Sequence, residues 1–230
     1  MNTKNILKVI IAIPLILFYS CELDNYTAPD SAIHGGIYDE ITGELIQQDI
    51  INGAQIEYIE HGYDNPEIQY LRFKPDGTFR NNLMFANTYT ITPVRGNFVP
   101  IDSRTVDITG STSIDFRVQP YIRINNVKIE NKEGKIVATF NIEQTVTDRV
   151  HKIGLYGHLQ PSVGEPMRSV YKESVLNAAV DEATLYHLEI DIATNSANLT
   201  PGQEYYFRVG ARIDIGEAKF NYAPAVRIKI

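Results

Sequence analysis

Tryptophan is missing from the 230 residues, and cysteine occurs once, as Cys21. A lone thiol excludes an intrachain disulfide framework and a cysteine-based zinc cluster, both of which need several cysteines. No apolar run reaches the length of about 20 residues that a membrane-spanning helix requires. Positive charge is in short supply, with 21 Lys and Arg against 28 Asp and Glu. This excludes the basic stripe of a nucleic-acid binder and disfavours adsorption of the protein surface to anionic lipid. Long helical periodicity is absent, as are the G-x-S-x-G elbow, the P-loop and the dinucleotide fingerprint. His34, His61, His151, His158 and His187 are scattered, with no helix to set two of them at i and i+4. Asp76-Gly77 lacks the alternating oxygen ligands of a calcium loop and reads as a turn. No metal and no cofactor are expected.

What is present begins with Lys4 and Lys8, followed by the apolar run Val9 to Phe18, which is broken by Pro14. The run has signal-peptide length, so residues 1–20 are read as a cleaved leader. Leu17-Phe18-Tyr19-Ser20-Cys21 resembles a bacterial lipobox, in which a small residue precedes a cysteine that becomes diacylated. Cys21 is accordingly the expected lipid anchor, and several acyl chains together give durable attachment. Loss of Lys4 and Lys8 leaves 19 basic against 28 acidic residues, a net charge of −9. Glu22 and Asp24 resemble the acidic signal that sends such lipoproteins to the outer face of the outer membrane. The expected location is therefore the outer membrane, lipid-anchored and surface-exposed, with residues 21–30 as a tether.

The remainder alternates with period two. Residues 31–118 carry short strands at Ala54–Glu60, Ile68–Phe73, Tyr89–Thr92 and Ser113–Val118, with Lys74-Pro75-Asp76-Gly77 as a strong turn. Residues 119–230 carry longer ones. Ile136, Ala138, Phe140 and Ile142 alternate cleanly, as do Ile153, Leu155, Gly157 and Leu159, and Tyr186, Leu188, Ile190 and Ile192. Pro161 to Thr184 is the least strand-like part, with a short helix read over Ser174–Ala183. Strands this short between turns indicate an all-β chain of two consecutive β-sandwich domains.

Gly36-Ile37-Tyr38-Asp39, Thr42-Gly43-Glu44, Gly53-Ala54-Gln55-Ile56, Pro75 to Phe79 and Ala86 to Ile91 resemble the carboxypeptidase-regulatory, transthyretin-like sandwiches. Leu199 to Ala211 resembles the E–F corner of fibronectin type III and immunoglobulin-like domains. That resemblance makes Tyr205 the corner tyrosine, its hydroxyl bonded to upstream backbone. Anchor, transthyretin-like domain and immunoglobulin-like domain in this order resemble a Bacteroidetes lipoprotein family known only as a domain of unknown function. Its members usually accompany SusC/SusD-type glycan-uptake systems.

The resemblance implies a non-catalytic accessory lipoprotein that binds a glycan or SusC/SusD-like partner proteins. A structural or adhesive surface protein without a glycan role is the alternative. Sugar recognition places aromatic rings against pyranose faces, which makes Tyr156, His158 and Tyr171, near the long second-domain loop, the candidate ligand residues. The competing reading is that these tyrosines pack or cap the sandwich. A glycosidase needs two carboxylates facing across a cleft, and small sandwiches without large loops seldom build one. No catalytic residue is assigned.

Overall fold

The computed structural model describes residues 27–230. The leader and Cys21 lie outside the described residues. Within them the chain forms sixteen strands and no helix. The first domain contains β1 (Ser31–Asp39), β2 (Gln55–Glu60), β3 (Gln69–Arg72) and β4 (Thr78–Met84). It continues with β5 (Asn87–Val94), β6 (Arg104–Ile108), β7 (Ser111–Ser113) and β8 (Phe116–Val118). One sheet has the order β4-β1-β7, with β8 also on β1, and the other has the order β3-β2-β5-β6. Strand β1 is central: it runs antiparallel to β4 and parallel to β7 and β8. Between the sheets Phe73 meets Phe79 edge-on at 5.5 Å, and Phe79 lies 5.8 Å from Phe116. Such tilted pairs are the favoured geometry for aromatic quadrupoles.

The second domain contains β9 (Ile122–Lys132), β10 (Lys135–Gln144), β11 (Val150–His158) and β12 (Val170–Ala178). It ends with β13 (Tyr186–Asp191), β14 (Glu204–Ile213), β15 (Asn221–Tyr222) and β16 (Val226–Lys229). A sheet β13-β10-β9 faces a sheet β12-β11-β14-β15, in which β16 also joins β14. Ile136, Ala138, Phe140 and Ile142 are fully buried against Leu155, Phe207 and Val209, as their alternation requires. At the corner before β14 the Thr200 N–H donates to the Tyr205 hydroxyl at 2.9 Å. This is the local bond expected of a corner tyrosine.

The helix read over Ser174–Ala183 is not formed. Val170–Ala178 is instead β12, which pairs antiparallel with β11 from Val150↔Ala178 to Gly157↔Val170. The pattern misled because β12 is an edge strand in which the neighbours Tyr171 and Lys172, and again Asn177 and Ala178, are exposed together, so its buried–exposed alternation is weak. Pairing with a fixed central strand decides such a segment more than its local pattern does.

The two domains are joined through a short, fully engaged linker. Val99 N–H donates to the Gln119 carbonyl and Tyr121 N–H to the Asn97 carbonyl, at 2.9 and 3.0 Å. The buried Asn97 side chain donates to the carbonyls of Gln47 and Phe220 and accepts from Gln48 Nε2. Across the same boundary the Arg123 guanidinium grips Asp39 through two nitrogens, at 2.5 and 3.1 Å, and reaches Glu143 with a third.

Burial alone would raise the Asp39 carboxyl. Arg123 and the N–H groups of Ile41 and Thr42 outweigh it and hold the group below its ordinary value of 3.8. A carboxyl lowered in this way adds stability above its unfolded pKa and loses it as pH falls through the folded one. The loss therefore falls below pH 3.8. Asp39→Asn is expected to lower stability at neutral pH by about 2 kcal/mol, the scale of a charge-assisted hydrogen bond. The variant should then lose less than the native protein on acidification to pH 3. Urea midpoints at the two pH values check this, and an equal acid loss in both proteins would refute the assignment.

Candidate functional site

The first domain docks against the outer face of the second domain's β11–β14 sheet, and glycine makes room for the contact. Gly154 on β11 stands directly opposite Gly210 on β14. A Cβ at Gly154 would meet the Tyr156 hydroxyl at 2.3 Å, and one at Gly210 the Tyr222 ring at 2.7 Å. The bare strip lets Tyr156, Phe220 and Tyr222 pack over the sheet with Val163 from the long loop. Tyr156 meets Phe220 edge-on at 5.9 Å, and Phe220 stacks on Tyr222 at 5.5 Å.

Arg208 passes through this cluster into the first domain. It is only 1% exposed. Its Nε donates to the Ala223 carbonyl, and Nη1 donates to the carbonyls of Gln48 and Val163. Nη2 reaches the Pro75 carbonyl and Gln47 Oε1, each at 3.3 Å. The guanidinium carbon stands 4.4 Å from the centre of the Tyr222 ring, a cation–π contact. Desolvation lowers its pKa to about 10, against the opposing influence of Tyr222 and Asp49, so the group remains a cation at neutral pH. A planar five-donor fork suits this many fixed acceptors in a way that lysine does not.

Two grooves flank the seam. One of about 280 Å³ is lined by Asp39, Arg123, Asn125 and Tyr222. Its ion pair is already committed internally. The other, about 400 Å³, is lined by Pro93, Phe98, Ile101, Tyr121 and Ile215. Among the described residues no group of three or more His, Cys, Asp or Glu is placed to hold a metal ion.

The three sequence-derived ligand residues have different fates. Tyr156 is fully buried, and its hydroxyl donates to Glu173 Oε1 at 2.8 Å. Burial, reinforced by the Tyr222 and Glu173 charges, pushes that hydroxyl far above its ordinary pKa. Its ring is packing and offers no face to a ligand. His158 is half-buried, and its Nδ1 accepts from the Gln160 N–H at 3.1 Å, which fixes the start of the loop. Tyr171 sits opposite Tyr156 in register and is 55% exposed. The Arg168 guanidinium lies 4.4 Å from its ring centre.

Around Tyr171 runs a charge lattice that the sequence reading missed. Lys152 Nζ contacts Glu173 at 3.0 Å and Glu165 at 3.6 Å, and Arg168 reaches Glu165 at 3.9 Å. Desolvation would raise the Glu173 carboxyl, but hydrogen bonds from Lys152 and Tyr156 and the charges of Lys152 and Arg168 hold it low. It is thus an ionised acceptor at neutral pH, not a proton donor. Tyr171 and Glu173 share one face by the two-residue strand period, which was visible in the sequence once that segment is read as a strand. Chemically the patch offers one exposed ring, a cation against it and a carboxylate beside it.

Fold and seam together define a chain of two docked β-sandwiches whose interface is built from aromatic rings and one buried arginine. Residues 31–119 match the family described as "Protein of unknown function (DUF3823) N-terminal domain", and residues 122–227 match "Domain of unknown function (DUF3823_C)". The chain belongs to the DUF3823 family. A crystal structure from Bacteroides uniformis, described as a "putative carbohydrate binding protein", is 35% identical, with a TM-score of 0.82. The match covers 88% of this chain and 100% of that one. A DUF3823 family protein from Parabacteroides merdae is 22% identical over the same shares, with a TM-score of 0.76. Another from Bacteroides uniformis is 19% identical, again over 88% and 100% of the two chains, with a TM-score of 0.75. These last two establish the fold alone. No curated protein matches.

Proposed function

We propose that this chain is a non-catalytic glycan-binding lipoprotein, anchored through Cys21 at the outer membrane as an accessory of a SusC/SusD-type uptake system. The observation that carries the glycan part is the 35%-identical relative described as carbohydrate-binding and matched over its whole length. Tyr171 is the ring that meets the sugar, with Arg168, Glu173 and His158 at its margin. An exposed tyrosine against a pyranose face supplies apolar contact while the charged groups take up hydroxyls. The buried seam supports this use, because it presents the ring on a sheet that does not shift against the first domain.

A structural or adhesive role without glycan is the second reading, and the rigid interdomain seam favours it as a spacer. A glycan array followed by titration of the best hit separates the two. Tyr171→Ala should weaken binding about tenfold, near 1.4 kcal/mol, with an unchanged unfolding midpoint. Absence of any glycan hit for the native protein selects the spacer, and undiminished binding by the variant refutes Tyr171 as the ring that meets the sugar.

A further inference from the structure

The described chain enters the first domain at the end opposite the second domain. Ser31 pairs with Met84, the Ala86 N–H donates to Asp30, and Gly110 contacts both Ser31 and Ala32. At the other end of β1, nine residues and about 30 Å away, Asp39 meets Arg123 of the second domain.

The entry end carries large apolar side chains that nothing among the described residues covers. Leu83 is 74% exposed and Phe85 44%, both beside the Ser31–Met84 pair. The loop that follows β2 adds Tyr63 and Ile68, both exposed. This loop lies at the same end, because Asn87 Nδ2 donates to the His61 carbonyl and Tyr58 donates to Gln69 beside it. The acidic residues nearby are Asp30, Glu60, Asp64 and Glu67, so the surface suits a neutral, not an anionic, partner.

We propose that this end of the first domain is a lipid-facing tip that rests on the neutral interface of the bilayer, with Leu83 and Phe85 inserted at headgroup depth. The inference rests on the reading of Cys21 as the lipid anchor. What points to lipid is the length of chain outside the described residues. Asp30 is nine positions after Cys21, so the tip stands no more than about 30 Å from the acyl chains. Confinement to that distance raises the effective concentration of membrane at the tip, and a contact too weak to hold a free domain becomes populated. Exposed tyrosine and phenylalanine with aliphatic neighbours are the residue types that settle at such interfaces. The second domain, with Tyr171, then stands off the membrane by the length of the first.

The absence of tryptophan makes the test direct. Leu83→Trp and, as a control in the second domain, Leu185→Trp each introduce a single emitter at an exposed position. The full-length chain, processed by the cell, is purified from membranes and reconstituted in phosphatidylcholine vesicles with brominated acyl chains. The Leu83→Trp emission should shift blue and be quenched, insensitively to salt, while Leu185→Trp keeps its solvent-exposed spectrum. No quenching at either position, or equal quenching at both, overturns the proposal. Shielding at position 83 in native membranes but not in lipid vesicles also overturns it and assigns the tip to a protein partner. Palmitate labelling of the native chain and of Cys21→Ala tests the anchor separately. If labelling fails, coupling the Cys21 thiol to a maleimide lipid tests the tip without natural acylation.

Discussion

Replacing Arg208 with methionine is expected to cost about 4 kcal/mol and to split a single unfolding transition into two. The size follows from what stays behind. Methionine fills much of the same volume, so a cavity is not the cause. The carbonyls of Ala223, Gln48 and Val163 remain buried at the seam, each having lost its donor, while the Pro75 carbonyl keeps only the Gln48 N–H. An unsatisfied buried acceptor costs about 1–3 kcal/mol. Against this, methionine removes the desolvation of a buried cation, which makes some such replacements neutral or stabilising. Here the cation has five oxygen acceptors and the Tyr222 ring, and the acceptors come from both domains, so the loss prevails. Calorimetry checks both parts. Arg208→Lys should recover less than half of the loss, because an ammonium cannot reach acceptors spread across a planar fork. A methionine variant within about 1 kcal/mol of the native protein, a difference ordinary for a point substitution, would show that the seam is held elsewhere.

Gly77→Ala is expected to cost about 3 kcal/mol, more than its size suggests. Gly77 has φ of 86°, the left-handed region, where a Cβ is disfavoured by about 1–2 kcal/mol. An added Cβ would also sit 2.4 Å from the Ile46 carbonyl oxygen, a backbone atom that cannot swing aside. Gly43→Ala is the control, since φ is 73° there and nothing lies within 4 Å of the added carbon. It should show the conformational cost alone, and urea midpoints give the difference. The Gly77 turn also presents the Pro75 carbonyl, which receives both the Gln48 N–H and Arg208 Nη2. Gly77→Ala with Arg208→Met should therefore cost less than the sum of the single changes, because both damage one network.

The sandwich build was legible wherever one sheet face is wet and the other dry. Ile136 to Ile142 and the Pro75-Asp76-Gly77 turn declare themselves by period and by turn chemistry, and Leu199 to Ala211 does so by its resemblance to a known corner. Legibility failed where tertiary pairing overrides pattern. The β12 segment looked helical because its edge position exposes adjacent residues, Tyr171 with Lys172 and Asn177 with Ala178, and blurs the period of two. Tyr156 looked like a ligand residue because it stands in a strand next to a long loop. Nothing local says that Gly154, Gly210 and a docked first domain bury it. Arg208 was invisible for the same reason: a charged residue in an alternating strand reads as the wet face, and here that face is covered by the other domain. Lys152, Glu165, Arg168 and Glu173 come together only through the β11–β12 register, which pairs residues on the two sides of the long loop.

The central position of β1 has a consequence for how the first domain can assemble. Its two parallel partners, β7 and β8, lie about 80 residues later in the chain. At synthesis rates of about 5–20 residues per second, several seconds pass before they exist. During that interval a growing chain offers a half-paired template strand beside its own beginning, and closure has to wait for the slow, high-separation contacts that govern β topologies. Speed of maturation should therefore respond to changes at Phe116 and Val118 far more than to changes at β2 or β5, which pair with each other across half that separation or less, from Gln55↔Val94 to Glu60↔Tyr89.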